Sequence, residues 1–119
     1  MPKILIIEDE ESVAEVLRDK LNNSGFEAEY VIDGKSGLKK IEEENYDLVI
    51  LDLILPKMDG FQLLEGLKKR NIEVPVIVSS NLGSGEDINR AKKLGAKDYF
   101  VKVETSIEEI VERIKRILN

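Results

Sequence analysis

The sequence predicts an α/β fold: a doubly wound, five-stranded parallel sheet in the order 2-1-3-4-5, with helices on both faces. Two observations carry this. Short runs of β-forming residues alternate strictly with stretches of helical periodicity, giving five strand–helix units. The connections are short, which demands right-handed crossovers and a parallel sheet covered on both sides. Five strands are too few for a closed (β/α)₈ barrel. The common five-stranded order leaves a crevice between strands one and three, at the carboxyl ends where such sheets place their ligands.

Each element has its own signal. Lys3 to Ile7, KILII, is a short buried strand ending in four acids, Glu8 to Glu11. Ser12 to Asn23 places Val13, Val16, Leu17 and Leu21 on one helical face. Gly25 follows as a helix-ending residue. Phe26 to Ile32 alternates Phe26, Ala28, Tyr30 and Ile32 against Glu27 and Glu29, so it reads as a strand near the sheet edge. After an Asp33-Gly34 turn, Lys35 to Glu44 is helical with Leu38 and Ile41 inward.

The third strand, Leu48 to Leu51, is apolar throughout and suits burial on both faces. It runs into Asp52, and the Pro56 to Gly60 turn ends the unit. Phe61 to Arg70 is a helix burying Phe61, Leu64 and Leu67. Val74 to Val78 is the fourth strand, closing on Ser79 and Ser80. Ser84 with Asp87 resembles a capping box for a helix from Glu86 to Leu94, with Gly95 at its end. Asp98 to Val101 is the last strand, with Lys102 at its tip. Ile107, Ile110, Val111, Ile114, Ile117 and Leu118 stripe the final helix.

Composition narrows the chemistry. The 119 residues are expected to form one domain, residues 1–119. A net charge of −6 argues against direct nucleic-acid binding. There is no cysteine and no histidine. Disulfides, thiolate or imidazole metal sites, Ser-His and Cys-His catalysis, and a phosphohistidine on this chain are therefore excluded. Hard chemistry is left to carboxylates, Lys, Ser, Thr, Tyr and a hard metal. Met1-Pro2-Lys3 with four apolar residues is too short for a signal peptide, and no apolar run approaches a membrane span. The expectation is a cytoplasmic chain.

In the order 2-1-3-4-5, Glu8 and Asp9 after the first strand face Asp52 after the third. Three gathered carboxylates repel unless a cation binds. With neither His nor Cys present, oxygen-seeking Mg²⁺ is the natural candidate. Glu10 and Glu11 suit the first turn of the following helix. Lys102 can pair with phosphate as a point charge. A hydroxyl of Ser79 or Ser80 can hydrogen-bond a phosphoryl oxygen.

Two acids, one acid, a hydroxyl and a lysine, each at a different strand end, resemble the receiver domain of bacterial response regulators. This is the flavodoxin-like (βα)5 partner of histidine kinases in two-component signalling. The resemblance spans the chain, from KILIIEDE through DLVILDLILPKMDG and VPVIVSS to GAKDYFVKV. It implies that Asp52 is the phosphoacceptor, taking a phosphoryl group from a phosphohistidine on a separate histidine kinase or phosphotransfer protein. It implies Mg²⁺ held by Glu8, Asp9, Asp52 and the Ile54 main-chain carbonyl. Lys102 then pairs with the phosphoryl group, Ser80 rather than Ser79 is the switch hydroxyl, and Tyr99 is the switch aromatic. The activity implied is weak autophosphotransfer and autophosphatase at Asp52. The surface moved is the helix 86–94, the strand 98–101 and the last helix, read by a downstream partner or output domain.

The sequence departs from that pattern in places. Val103 follows Lys102 where proline is usual, which leaves the lysine's aim open. A non-proline cis bond costs about 3–4 kcal/mol, so a trans bond is expected. Asn81 stands where a small residue is usual, and Glu8 where Asp is also common. Ile54 and Leu82 flank the expected path of water and cannot orient it, which implies slow self-dephosphorylation. One alternative is a non-phosphorylated interaction module of the same fold. A haloacid-dehalogenase-type phosphatase is disfavoured because its loop wants two aspartates where this chain has Asp9-x-Glu11. An FMN carrier is disfavoured because the acids after the first strand would repel its phosphate.

Overall fold

The computed structural model describes residues Met1–Asn119. Five parallel strands form one sheet: β1 (Lys3–Ile7), β2 (Glu27–Val31), β3 (Leu48–Leu51), β4 (Val76–Ser80) and β5 (Asp98–Val101). Their order is β2-β1-β3-β4-β5, as the alternation requires. Five helices connect and close them: α1 (Glu11–Asn23), α2 (Gly34–Glu43), α3 (Gly60–Lys69), α4 (Gly85–Lys93) and α5 (Ile107–Leu118). A single 3-10 turn, Lys102–Glu104, follows β5. No helix is long and apolar enough to cross a membrane.

The sheet divides two cores. Leu5, Ile7, Val49, Leu51 and Val78 face α2, α3 and α4 with Leu38, Leu64 and Ala91. Ile4, Ile6, Leu48, Ile50 and Ile77 face α1 and α5 with Leu17, Leu21, Ile110 and Ile114. Alternate residues of one strand thus feed opposite cores, as the two-residue period demands. β1 and β3 are buried on both faces, and each such side chain contributes about 1.5–3 kcal/mol.

Local chemistry sets the helix ends. Asp33 caps α2 by accepting from the Ser36 amide. Asp59 and Gln62 form a reciprocal capping box at α3, and Ser106 and Glu109 do the same at α5. Ser84 caps α4 through the Asp87 amide. Gly95 takes φ +111 after α4, a left-handed angle that glycine adopts without penalty.

Several expectations are corrected. The fourth strand is Val76–Ser80, two residues later than the apolar run, so Ser79 and Ser80 lie inside it. Pro75 has no N–H to give the ladder and contributes only its carbonyl, to Val49 N. The two serines pair in register with Phe100 and Val101. The second strand is shorter than its alternating pattern, and Ile32 beyond it is exposed. On α1 it is Ala14, not Val16, that packs inward; Val16 is 53% exposed. Gly34 and Gly60 are the first residues of helices rather than turn residues, because Asp33 and Asp59 before them are the caps.

Candidate functional site

The carboxyl ends of β1, β3, β4 and β5 bring the site together. Glu8 follows β1 directly, and its backbone N–H donates to the Val31 carbonyl, continuing the ladder. Asp52 follows β3 in the same way through the Ile7 carbonyl. Both side chains are consequently held at the mouth of the sheet, 4% and 5% exposed. Asp9 turns outward and is exposed. Carboxylate oxygens of Glu8, Asp9 and Asp52 all lie within 4.8 Å of one another. Three hard oxygen donors that close fit a divalent cation such as Mg²⁺, and no nitrogen or sulfur donor competes.

Lys102 reaches this cluster. Its Nζ donates to Asp52 Oδ2 at 2.8 Å and also to Glu8 Oε1. The other oxygens are engaged as well: Glu8 Oε2 accepts from the Glu10 N–H at 3.0 Å, and Asp52 Oδ1 from the Ile54 N–H at 3.2 Å. Burial pushes the Glu8 carboxyl above its ordinary pKa, and the Lys102 bond only partly offsets this. Burial works against the Lys102 ammonium too, but its bonds to Asp52 and Glu8 outweigh it and raise its pKa. The amine is held charged between two acids. Val103 does not prevent this. All peptide bonds are trans, and Val103 projects into solvent at 80% exposure while the lysine's flexible stem turns inward.

The remaining residues form a second group on the other face of the sheet. Ser80 is fully buried, and its Oγ accepts from the Leu82 N–H at 3.4 Å. The Tyr99 hydroxyl donates to the Leu82 carbonyl. One peptide residue, Leu82, thus joins Ser80 to Tyr99. Ser79 points to the opposite face and lines the space below Asp52 and Lys102. Ile54 is exposed on the loop after Asp52, next to the site mouth.

The β3–α3 loop that carries Ile54 is clamped by α2. The Gly34 N–H donates to the Pro56 carbonyl at 3.4 Å, and a Cβ on Gly34 would sit 1.8 Å from the Met58 carbonyl oxygen. Lys57 adopts φ 67 within that loop. The clamping role of Gly34 is absent from the sequence reading. A glycine one residue after a helix cap is the signal that marks it.

Comparison with known proteins agrees with this geometry. The family model described as "Response regulator receiver domain" matches residues 4–115. The chain belongs to the response regulator receiver domains. It is similar to the transcriptional regulatory protein RprY of Bacteroides fragilis, 39% identical over 98% of this chain and 49% of that protein. It is similar to the sensory transduction protein RegX3 of Mycolicibacterium smegmatis, 42% identical over 99% of this chain and 51% of that protein. This receiver chain therefore spans about half the length of the curated relatives it matches. Among solved structures it is similar to the receiver domain of Francisella response regulator 1452. The TM-score is 0.92 at 35% identity, covering 98% of this chain and 95% of that one. The receiver fold, with strand order 2-1-3-4-5, is the one the sequence predicts.

Proposed function

We propose that this receiver domain is a phosphorylation-dependent switch, with Asp52 as phosphoacceptor. The carrying observation is the Lys102 ammonium bonded to Asp52 and Glu8, beside Asp9, at the end of the central strand. Asp52 Oδ attacks the phosphorus of a phosphohistidine on a separate histidine kinase or phosphotransfer protein. The new P–O bond forms as the P–N bond breaks, and the imidazole nitrogen keeps the electron pair and takes a proton. Lys102 follows the transferred oxygens as a fixed positive charge, so the domain's contribution is positioning and electrostatics. Glu8, Asp9, Asp52 and the Ile54 carbonyl would hold Mg²⁺, which when bound neutralises charge on the phosphoryl oxygens.

The readout runs through Leu82. When the Ser80 hydroxyl turns to a phosphoryl oxygen, the Leu82 N–H loses its acceptor, and the Leu82 carbonyl moves with the Tyr99 hydroxyl bonded to it. A shift of that peptide biases α4, β5 and α5 toward a state that a downstream partner or output domain reads. The overall acidic charge supports a protein reader for this domain rather than nucleic acid.

Acetyl phosphate with Mg²⁺, followed by intact-mass measurement, tests the reading. One phosphoryl adduct is expected, and Asp52→Asn abolishes it. An adduct that survives in Asp52→Asn overturns the assignment, and no adduct on the unmodified protein favours a non-phosphorylated interaction module.

A further inference from the structure

Below the acid cluster, between the sheet and helices α1 and α5, lies a cavity of about 200 Å³. Its walls are apolar: Ile6 and Ile50 from the sheet, Leu17 from α1, and Ile107 and Ile110 from α5. Glu8, Asp52 and Lys102 form its roof. Ser79 stands on its wall and is 6% exposed.

Ser79 differs from every other polar group around this space. The roof groups are bonded to one another and to the Glu10 and Ile54 amides. The Thr105 hydroxyl donates to the Val101 carbonyl. The Ser79 hydroxyl has no protein partner, and because no fully enclosed side-chain atom lacks one, it opens onto the cavity. A buried hydroxyl facing an apolar space is matched by one ligand group that can hydrogen-bond.

Size and charge then define the ligand. An apolar cavity of about 150 Å³ admits benzene, so this one holds a single substituted ring. Two carboxylates and one ammonium leave the roof net negative, which disfavours an anionic head such as phosphate or carboxylate. The carboxylates are already occupied by Lys102, and the walls give a ligand cation no compensation for its lost hydration.

We propose that this cavity is a binding site for a small uncharged aromatic alcohol, with its ring among Ile50, Leu17 and Ile110 and its hydroxyl on Ser79. A ligand there lies against the underside of Asp52 and Lys102. It would give the domain an input from beneath the phosphoacceptor, separate from any kinase. Binding requires neither metal nor phosphoryl group, so it stands or falls apart from the switch reading.

Phenol and benzene, titrated into the metal-free full chain and followed by amide NMR, test it. Both are expected to give saturable shifts at Ile50, Ser79 and Ile110. Ser79→Ala is expected to weaken phenol about fivefold, the loss of one hydrogen bond, while retaining benzene. Val13→Phe, at the half-buried mouth of the cavity, is expected to abolish both. Absence of saturable binding by the unmodified protein overturns the proposal. So do shifts confined to another surface, or phenol binding indifferent to Ser79→Ala.

Discussion

At Lys102 one ammonium is paired with two buried carboxylates, Glu8 and Asp52, and offsets one of their two charges. Removing it leaves those acids facing each other with no counter-charge. Lys102→Met is expected to lower metal-free stability by about 1–3 kcal/mol, less than for a fully buried pair because the site mouth admits water. Mg²⁺ should restore more stability to that variant than to the unmodified protein, since a bound cation takes over the missing charge; paired urea melts with and without Mg²⁺ measure this. Ile54 carries a second prediction. It is 53% exposed beside Asp52, so it can be exchanged without disturbing the core. Under the proposed phosphorylation of Asp52, apolar Ile54 and Leu82 give an attacking water no anchor, so the phosphoryl group is expected to persist well beyond seconds, and Ile54→Asn to shorten its lifetime several-fold by orienting water. Decay of the phosphoryl label gives both lifetimes, and decay within seconds in the unmodified protein contradicts the first.

At the scale of elements, α2 and the β3–α3 loop act as one unit because Gly34 has no side chain. Gly34→Ala places a methyl against the Met58 backbone carbonyl, which cannot move away cheaply. The expected cost is about 1–3 kcal/mol, with weaker Mg²⁺ binding because the displaced loop carries Ile54; thermal melts and metal titration report the two effects. In contrast, α4 is loosely held. Ala91 is its only buried residue, and Arg90 ties it to α3 by lying 4.1 Å over the Phe61 ring. A lightly anchored helix beside Leu82 is suited to changing position. The sequence made β1, β3 and the site acids legible, because buried parallel strands are continuous apolar runs and their ends are marked by the first charge. It did not place β4 correctly, because Val74 and Pro75 look as apolar as the strand itself and only the missing proline N–H excludes them from donating. The helical period permits Val16 on the inward face, but α1 packs with Ala14, Leu17 and Leu21 turned to the sheet and leaves Val16 in solvent. The posture of Lys102 was illegible, since it depends on the reach of a flexible stem and not on the following residue alone. The cavity at Ser79 was illegible too, because it arises from how far α1 and α5 stand from the sheet.

At the scale of the whole molecule, the end opposite the site is tied by charge. Glu44 accepts from Lys3 at 2.5 Å and from Lys40 at 2.9 Å, and Lys40 also lies 3.5 Å from Glu29. Tyr46 donates its hydroxyl to Glu29, and Lys3 lies 4.9 Å over the Tyr46 ring. The bonds from Lys3 and Lys40 lower the Glu44 pKa to about 2, from an ordinary 4.5. A depressed acid binds fewer protons folded than unfolded, so its stabilisation is complete above about pH 4.5 and is lost as pH falls through about 2. Glu44→Gln is expected to flatten that part of the acid-unfolding curve and leave its slope above pH 5 unchanged; added salt should shrink the difference, because the cluster is solvent-accessible.

The sheet separates two cores, and residues of the candidate site lie on both sides of it. Asp52, Glu8, Lys102 and Ser79 border the α1–α5 side, while Ser80 and the Leu82–Tyr99 link belong to the α3–α4 side. Adjacent serines on β4 therefore stand on opposite sides of a wall one strand thick. Under the proposed switch, substitutions around Ser80 and Tyr99 can alter which partner is recognised while Asp52, Glu8 and Lys102 stay unchanged. A single architecture can in this way diversify its listeners without relearning its chemistry.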